Sequence, residues 1–181
     1  MNTMYLVDGF EGSPEVNWLS DLEKCYKDSF DMKKVKYTNS NVADVKVWDE
    51  DLDRDIYNPQ NAYFICHSLG CITLLRYILR KNIRIKGAIF VSGFAESIAD
   101  YPQFDAYMKN IDLEKLKHLV GISFVISART DRIIDWKITN NLANELEIPF
   151  ILLPDGGHFT STEGIIEMPS VKIIVNTYWQ E

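Results

Sequence analysis

Short apolar runs rich in β-branched and aromatic side chains alternate along the chain with longer stretches of helical period. Strands covered on both faces read as continuous apolar runs, so this alternation predicts βα units around a parallel sheet. The strand candidates are residues 4–7, 34–37, 62–66, 87–92, 122–128 and 150–153, and helical spacing covers residues 15–29, 42–56, 71–81, 135–146 and 171–179. Ser13 and Pro14 suit the N-cap and first position of the first helix, and Val16, Leu19, Leu22 and Cys25 or Tyr26 give it a buried stripe. With right-handed crossovers the pattern folds as a three-layer α/β/α sandwich on a mainly parallel sheet of about six strands. The connection over residues 94–120 is longer than a crossover needs and carries Tyr101, Pro102, Phe104 and Tyr107, then a short charged helix at residues 113–118. It reads as a crossover with an extra turn and as the source of any small aromatic lid at the carboxyl edge of the sheet, where open α/β folds bind ligands.

Length and charge narrow the partners. The 181 residues predict one domain, residues 1–181, with no repeat or linker to divide it. Nineteen Lys and Arg against 26 Asp and Glu give a formal charge of -7, which repels phosphate backbones and anionic membranes, so neither nucleic acid nor membrane is an expected partner. No basic leader or run of about 20 apolar residues is present, so a cytoplasmic location is expected. Cys25, Cys66 and Cys71 read as reduced thiols, and Cys66, His67 and Cys71 lack a metal-ligand spacing, so no metal or cofactor is expected.

The segment Ala62-Tyr63-Phe64-Ile65-Cys66-His67-Ser68-Leu69-Gly70 carries the chemistry. A buried strand runs directly into a helix with a serine at the joint, the setting of a G-x-S-x-G nucleophile elbow in which Cys66 replaces the first glycine. Such a turn lifts Ser68 Oγ above the sheet and aims the Leu69 N–H where an oxyanion would form. The plainer role for Ser68 is an N-cap.

A reactive serine needs a base. His67 adjoins the nucleophile and must point elsewhere, and His118 lies in the long connection, which leaves His158 in the loop after the last strand. A base in turn needs an acid to fix its tautomer. Asp131, in the loop after the fifth strand, ranks ahead of Asp155, which suits a turn, and Asp135, which suits a helix N-cap. The order Ser68, Asp131, His158 is that of α/β-hydrolases. The loop Asp8-Gly9-Phe10-Glu11-Gly12-Ser13 reaches the same edge, so the Phe10 N–H is the natural second oxyanion donor.

The Gly12-Ser13-Pro14 loop with Trp18 behind it, His67-Ser68-Leu69-Gly70, Asp131 and Gly156-Gly157-His158-Phe159 together resemble the small single-domain serine hydrolases, the YdeN-like and retinoblastoma-binding-protein-like members of the α/β-hydrolase superfamily. The resemblance spans nearly the whole chain. It implies a minimal α/β-hydrolase fold, the triad Ser68, His158 and Asp131, no cofactor, and hydrolysis of a small acyl ester, thioester or amide. It also admits a protein-binding or scaffold member with little activity, although the LxCxE type of motif is absent here. Family members often carry His-Gly where this chain has Asp8-Gly9, and a carboxylate there would oppose an oxyanion or favour cationic substrates. Nucleotide binding through Gly9 to Gly12 lacks both the Walker lysine and the GxGxxG pattern.

Overall fold

In the computed structural model, which describes residues 1–180, six strands form one parallel sheet in the order β2-β1-β3-β4-β5-β6. They are β1 (Thr3–Val7), β2 (Asp31–Lys34), β3 (Ala62–His67), β4 (Gly87–Val91), β5 (Phe124–Ala128) and β6 (Phe150–Leu153). The principal helices are α1 (Asn17–Tyr26), α2 (Val45–Asp55), α3 (Leu69–Lys81), α6 (Trp136–Leu146) and α7 (Pro169–Ile174). Two single-turn helices, α4 (Asp105–Met108) and α5 (Leu113–Leu116), lie in the long connection.

Period-two alternation divides the core. Met4, Leu6, Ile65 and Ile89 point into the layer beneath α1 and α7, while Tyr5, Val7, Phe64 and Phe90 point into the layer holding α2, α3 and α6. Every residue of β3 and β4 is buried, as central parallel strands require. The sheet and its helical layers match the expected sandwich.

Several boundaries differ from the sequence reading, and three of them have a clear local reason. β2 pairs Asp31 to Lys34 with Thr3 to Leu6 rather than running over residues 34–37. Beyond Val35 the ladder stops because the Lys36 and Thr38 amides donate instead to Asp55 and Asp51 of α2. α1 begins at Asn17, with Val16 rather than Ser13 at its N-cap, because Ser13 is spent on a preceding turn where its Oγ accepts the Glu15 N–H at 3.2 Å. β5 begins at Phe124: Ile122 is exposed, and Ser123 Oγ accepts the Ala88 N–H at 2.7 Å in place of a ladder bond.

The long connection is tied down by its aromatics. Phe94, Phe104 and Tyr107 are buried in the α3 layer, and Phe104 packs edge-on against Phe10 at 5.4 Å. Among the described residues, no helix is long and apolar enough to cross a membrane, and no group of three or more His, Cys, Asp or Glu is placed to hold a metal ion. Cys25, Cys66 and Cys71 are free thiols.

Candidate active site

The carboxyl ends of β1, β3, β4, β5 and β6 converge on one site. Ser68 follows β3 directly and has φ 52 and ψ -127, a sparsely populated conformation for a non-glycine residue. Its backbone N–H donates to the Val91 carbonyl at 2.9 Å, which pins the turn to β4. The hydroxyl makes no N-cap bond to α3. It donates instead to His158 Nε2 at 3.0 Å. Close approach explains the flanking glycines: a Cβ on Gly70 would meet the Asp8 carbonyl oxygen at 2.4 Å, and one on Gly9 would meet Ser68 Cβ at 2.9 Å. Gly9 also brings the Phe10 segment against the start of α3, since its Cβ would lie 3.0 Å from the Leu69 nitrogen. Leu69 opens α3, so its N–H has no partner within the helix.

His158 Nδ1 faces both Asp131 oxygens, at 3.2 and 3.0 Å. A carboxylate only accepts, so Nδ1 carries the proton and Nε2 is left as the acceptor that Ser68 uses. Asp131 is buried and fully engaged. Its Oδ1 accepts the Ile133 and Ile134 amides at 2.9 Å each, and its Oδ2 accepts the Ser92 hydroxyl at 2.7 Å. Burial alone would raise the Asp131 carboxyl, but the His158 contact and these donors hold it below the ordinary value. Burial pushes the His158 imidazole below its ordinary value, and the neighbouring His67 charge adds to this against the pull of Asp131. A neutral His158 beside an ionised Asp131 is the state a general base requires.

The rivals take the other roles expected of them. Asp155 Oδ1 accepts from Thr130 Oγ1 and the Gly156 amide, which closes a turn, and Asp135 caps α6 through the Lys137 amide. His118 is exposed just beyond α5. Asp8 departs from expectation: only 2% exposed, it turns inward to accept the Gly9 N–H at 2.8 Å and to face His67 Nδ1 at 2.8 Å, so its charge is matched locally rather than offered to an oxyanion. The carboxylate left at the rim is Glu11, in a left-handed turn at φ 57.

Two supporting residues escaped the sequence reading. Ser92 holds Asp131, and Glu163 grips the His158 amide with both carboxylate oxygens at 3.0 and 2.9 Å. The second has a local signal, because Thr160 and Glu163 form a capping box on the turn after His158. The site opens into a cavity of about 400 Å³ whose lining includes the apolar side chains of Phe10, Val16, Tyr101, Phe104 and Ile133 and the hydroxyl-bearing Ser13, Thr160, Ser161 and Thr162.

A strained serine, a histidine and a buried aspartate hydrogen-bonded in series at the carboxyl edge of a parallel sheet form the arrangement expected of an α/β-hydrolase site. The family model described as Serine hydrolase matches residues 4–177, and the chain belongs to that family. The YdeN protein of Bacillus subtilis (strain 168) is 25% identical over 185 residues, covering 98% of this chain and 96% of the relative. The crystal structure of the B. subtilis ydeN gene product superposes with a TM-score of 0.92 at 24% identity over 100% of both chains. A YdeN-like protein of Pectobacterium atrosepticum gives 0.74 at 17% identity, covering 96% of this chain and 89% of that one. A structure from Nitrososphaera gargenis, described among carboxylesterases, gives 0.71 at 13% identity over 98% and 89% of the two chains.

Proposed function

We propose that the protein hydrolyses a small acyl ester, thioester or amide through an acyl-enzyme on Ser68. The observation that carries this reading is the series Ser68 Oγ to His158 Nε2 at 3.0 Å and His158 Nδ1 to Asp131 Oδ2 at 3.0 Å. Ser68 Oγ attacks the substrate carbonyl carbon as His158 Nε2 takes the hydroxyl proton, and Asp131 stabilises the imidazolium that forms. The carbonyl oxygen becomes an oxyanion held by the Phe10 and Leu69 N–H groups. Collapse breaks the bond to the leaving group, which takes the proton from His158 and departs. Water then adds to the acyl carbon with His158 again as base, and the carboxylic acid leaves as Ser68 regains its proton. No step calls on a cofactor or metal.

The apolar wall of Phe10, Phe104 and Ile133 suits the acyl chain of a small-molecule substrate, which is burial worth up to about 0.8 kcal/mol per methylene. The esterase reading draws on this wall and on the carboxylesterase description of the Nitrososphaera protein. A fluorophosphonate probe tests the claim. Labelling of wild type that is abolished in Ser68→Ala supports it, and equal labelling of the two proteins refutes it.

A further inference from the structure

His67 sits one residue before the nucleophile, and neither of its ring nitrogens touches Ser68. Its Nδ1 lies 2.8 Å from Asp8 Oδ1, and its Nε2 lies 2.8 Å from the backbone carbonyl oxygen of His158. Both partners are acceptors: an ionised carboxylate and a peptide carbonyl offer no proton. A neutral imidazole could satisfy only one of them and would set a lone pair against the other. All three residues are buried, so an unmatched contact would be costly. The arrangement is satisfied when the ring carries both protons and is paired with the Asp8 carboxylate.

Three loops meet at this ring. Asp8 begins the loop that carries Phe10, and Gly12 packs so closely that a Cβ there would lie 2.5 Å from the Asp8 carboxyl carbon. His67 belongs to the nucleophile turn itself. The His158 carbonyl belongs to the base loop, whose amide is held from the other side by Glu163. We propose that Asp8 and His67 form a charged positioning pair, its doubly protonated imidazole tying the oxyanion loop and the nucleophile turn to the backbone of the base. The pair acts through His158 and Ser68, so its role in turnover rests on the hydrolase reading above.

The surroundings agree. The titratable groups facing His67 are Asp8 from the loop after β1, the His158 ring from the loop after β6 at 4.9 Å between ring centres, which burial and the His67 charge itself keep neutral, and, farther off, Asp131 from the loop after β5, while α1 presents the uncharged Trp18 ring at 5.9 Å. Burial alone would lower the His67 imidazole, but Asp8, the His158 carbonyl and Asp131 raise it above its ordinary value. Burial would raise the Asp8 carboxyl, but His67 and the Gly9 and Ser13 amides hold it down. As pH rises through the raised His67 value, the ring loses a proton and the grip on one partner is lost. Turnover therefore has an alkaline limb that belongs to His67.

The test is a titration of the ring nitrogens of His67 by NMR in substrate-free protein, beside kcat against pH for wild type and Asp8→Asn. The amide of Asp8→Asn is nearly isosteric and can keep its one oxygen as acceptor for both the Gly9 amide and His67 Nδ1, which share Asp8 Oδ1, but it removes the negative charge that pairs with the imidazolium. We expect His67 to hold both ring protons at pH 6.5, its ordinary midpoint, and above. In Asp8→Asn the ring should titrate at lower pH, the alkaline limb of kcat should move with it, and kcat should fall by up to about 10²-fold with little change in KM. A His67 ring with a single proton at pH 6.5 overturns the pair, and so does an alkaline limb that Asp8→Asn leaves in place. The wild-type titration decides the matter if the variant fails to fold. Because it is read without substrate, it is separate from the hydrolase reading, which falls if no acyl substrate is turned over.

Discussion

The indole N–H of Trp18 donates to the carbonyl of Phe159 at 3.0 Å, joining α1 to the loop that carries His158 across 141 residues of sequence. Phe159 holds a left-handed φ of 57, uncommon for an aromatic residue, so this loop stays in place only because its neighbours over-determine it. The Phe159 N–H donates to the Gly156 carbonyl at 3.0 Å, and the buried indole closes the other end.

Trp18→Phe keeps much of the packing and leaves the Phe159 carbonyl without its donor. We expect a loss of about 1–3 kcal/mol of stability. Urea unfolding measures it, and kcat should fall with it because the His158 loop is released.

Ser92→Ala removes one of the donors that keep Asp131 ionised. The stability cost should be about 1.5–3 kcal/mol at neutral pH, the range for a hydrogen bond to a charged group. Asp131 has a depressed value when folded, so this contribution is full above its ordinary value of 3.8 and is lost as pH falls through the lower folded value. Urea denaturation of both proteins at pH 7 and at acid pH reads the difference. Asp131→Asn should cost far more in rate, about 10⁴-fold in kcat, since the base then loses its tautomer and its counter-charge.

The acid limb of kcat/KM should lie below pH 6.5. His158 works as a base only when neutral, and its depressed value keeps it neutral to a lower pH than an ordinary imidazole. Rates with a neutral ester across this range check the sign.

Substrate preference should follow the apolar wall. Lengthening the acyl group of p-nitrophenyl esters should raise kcat/KM by up to about fourfold per methylene, the rate equivalent of about 0.8 kcal/mol, until the cavity is filled. Ile133→Ser should flatten that series while leaving the shortest ester nearly unaffected.

Much of this was legible in the sequence because the decisive residues stand where strands end. Ser68, Asp131 and His158 each follow an apolar run in the chain order of the fold, so β-strand endings alone bring them to one edge. What stayed hidden depends on contacts between distant segments. His67 could be excluded as the base, but its partners Asp8 and His158 lie 59 and 91 residues away, and nothing local names them. Ser92 closes a strand as many serines do, and only the fold sets it 2.7 Å from Asp131. The shift of β2 likewise arises from carboxylates of α2 competing for its backbone amides.

The most direct measurement of the central claim is the mass of the intact protein quenched during turnover of a p-nitrophenyl ester, with the modified residue located by peptide mapping. The account requires a transient gain equal to one acyl group on Ser68, accumulating in His158→Ala only slowly and absent in Ser68→Ala. Hydrolysis that proceeds at the wild-type rate in Ser68→Ala, or an acyl group found on another residue, would contradict it.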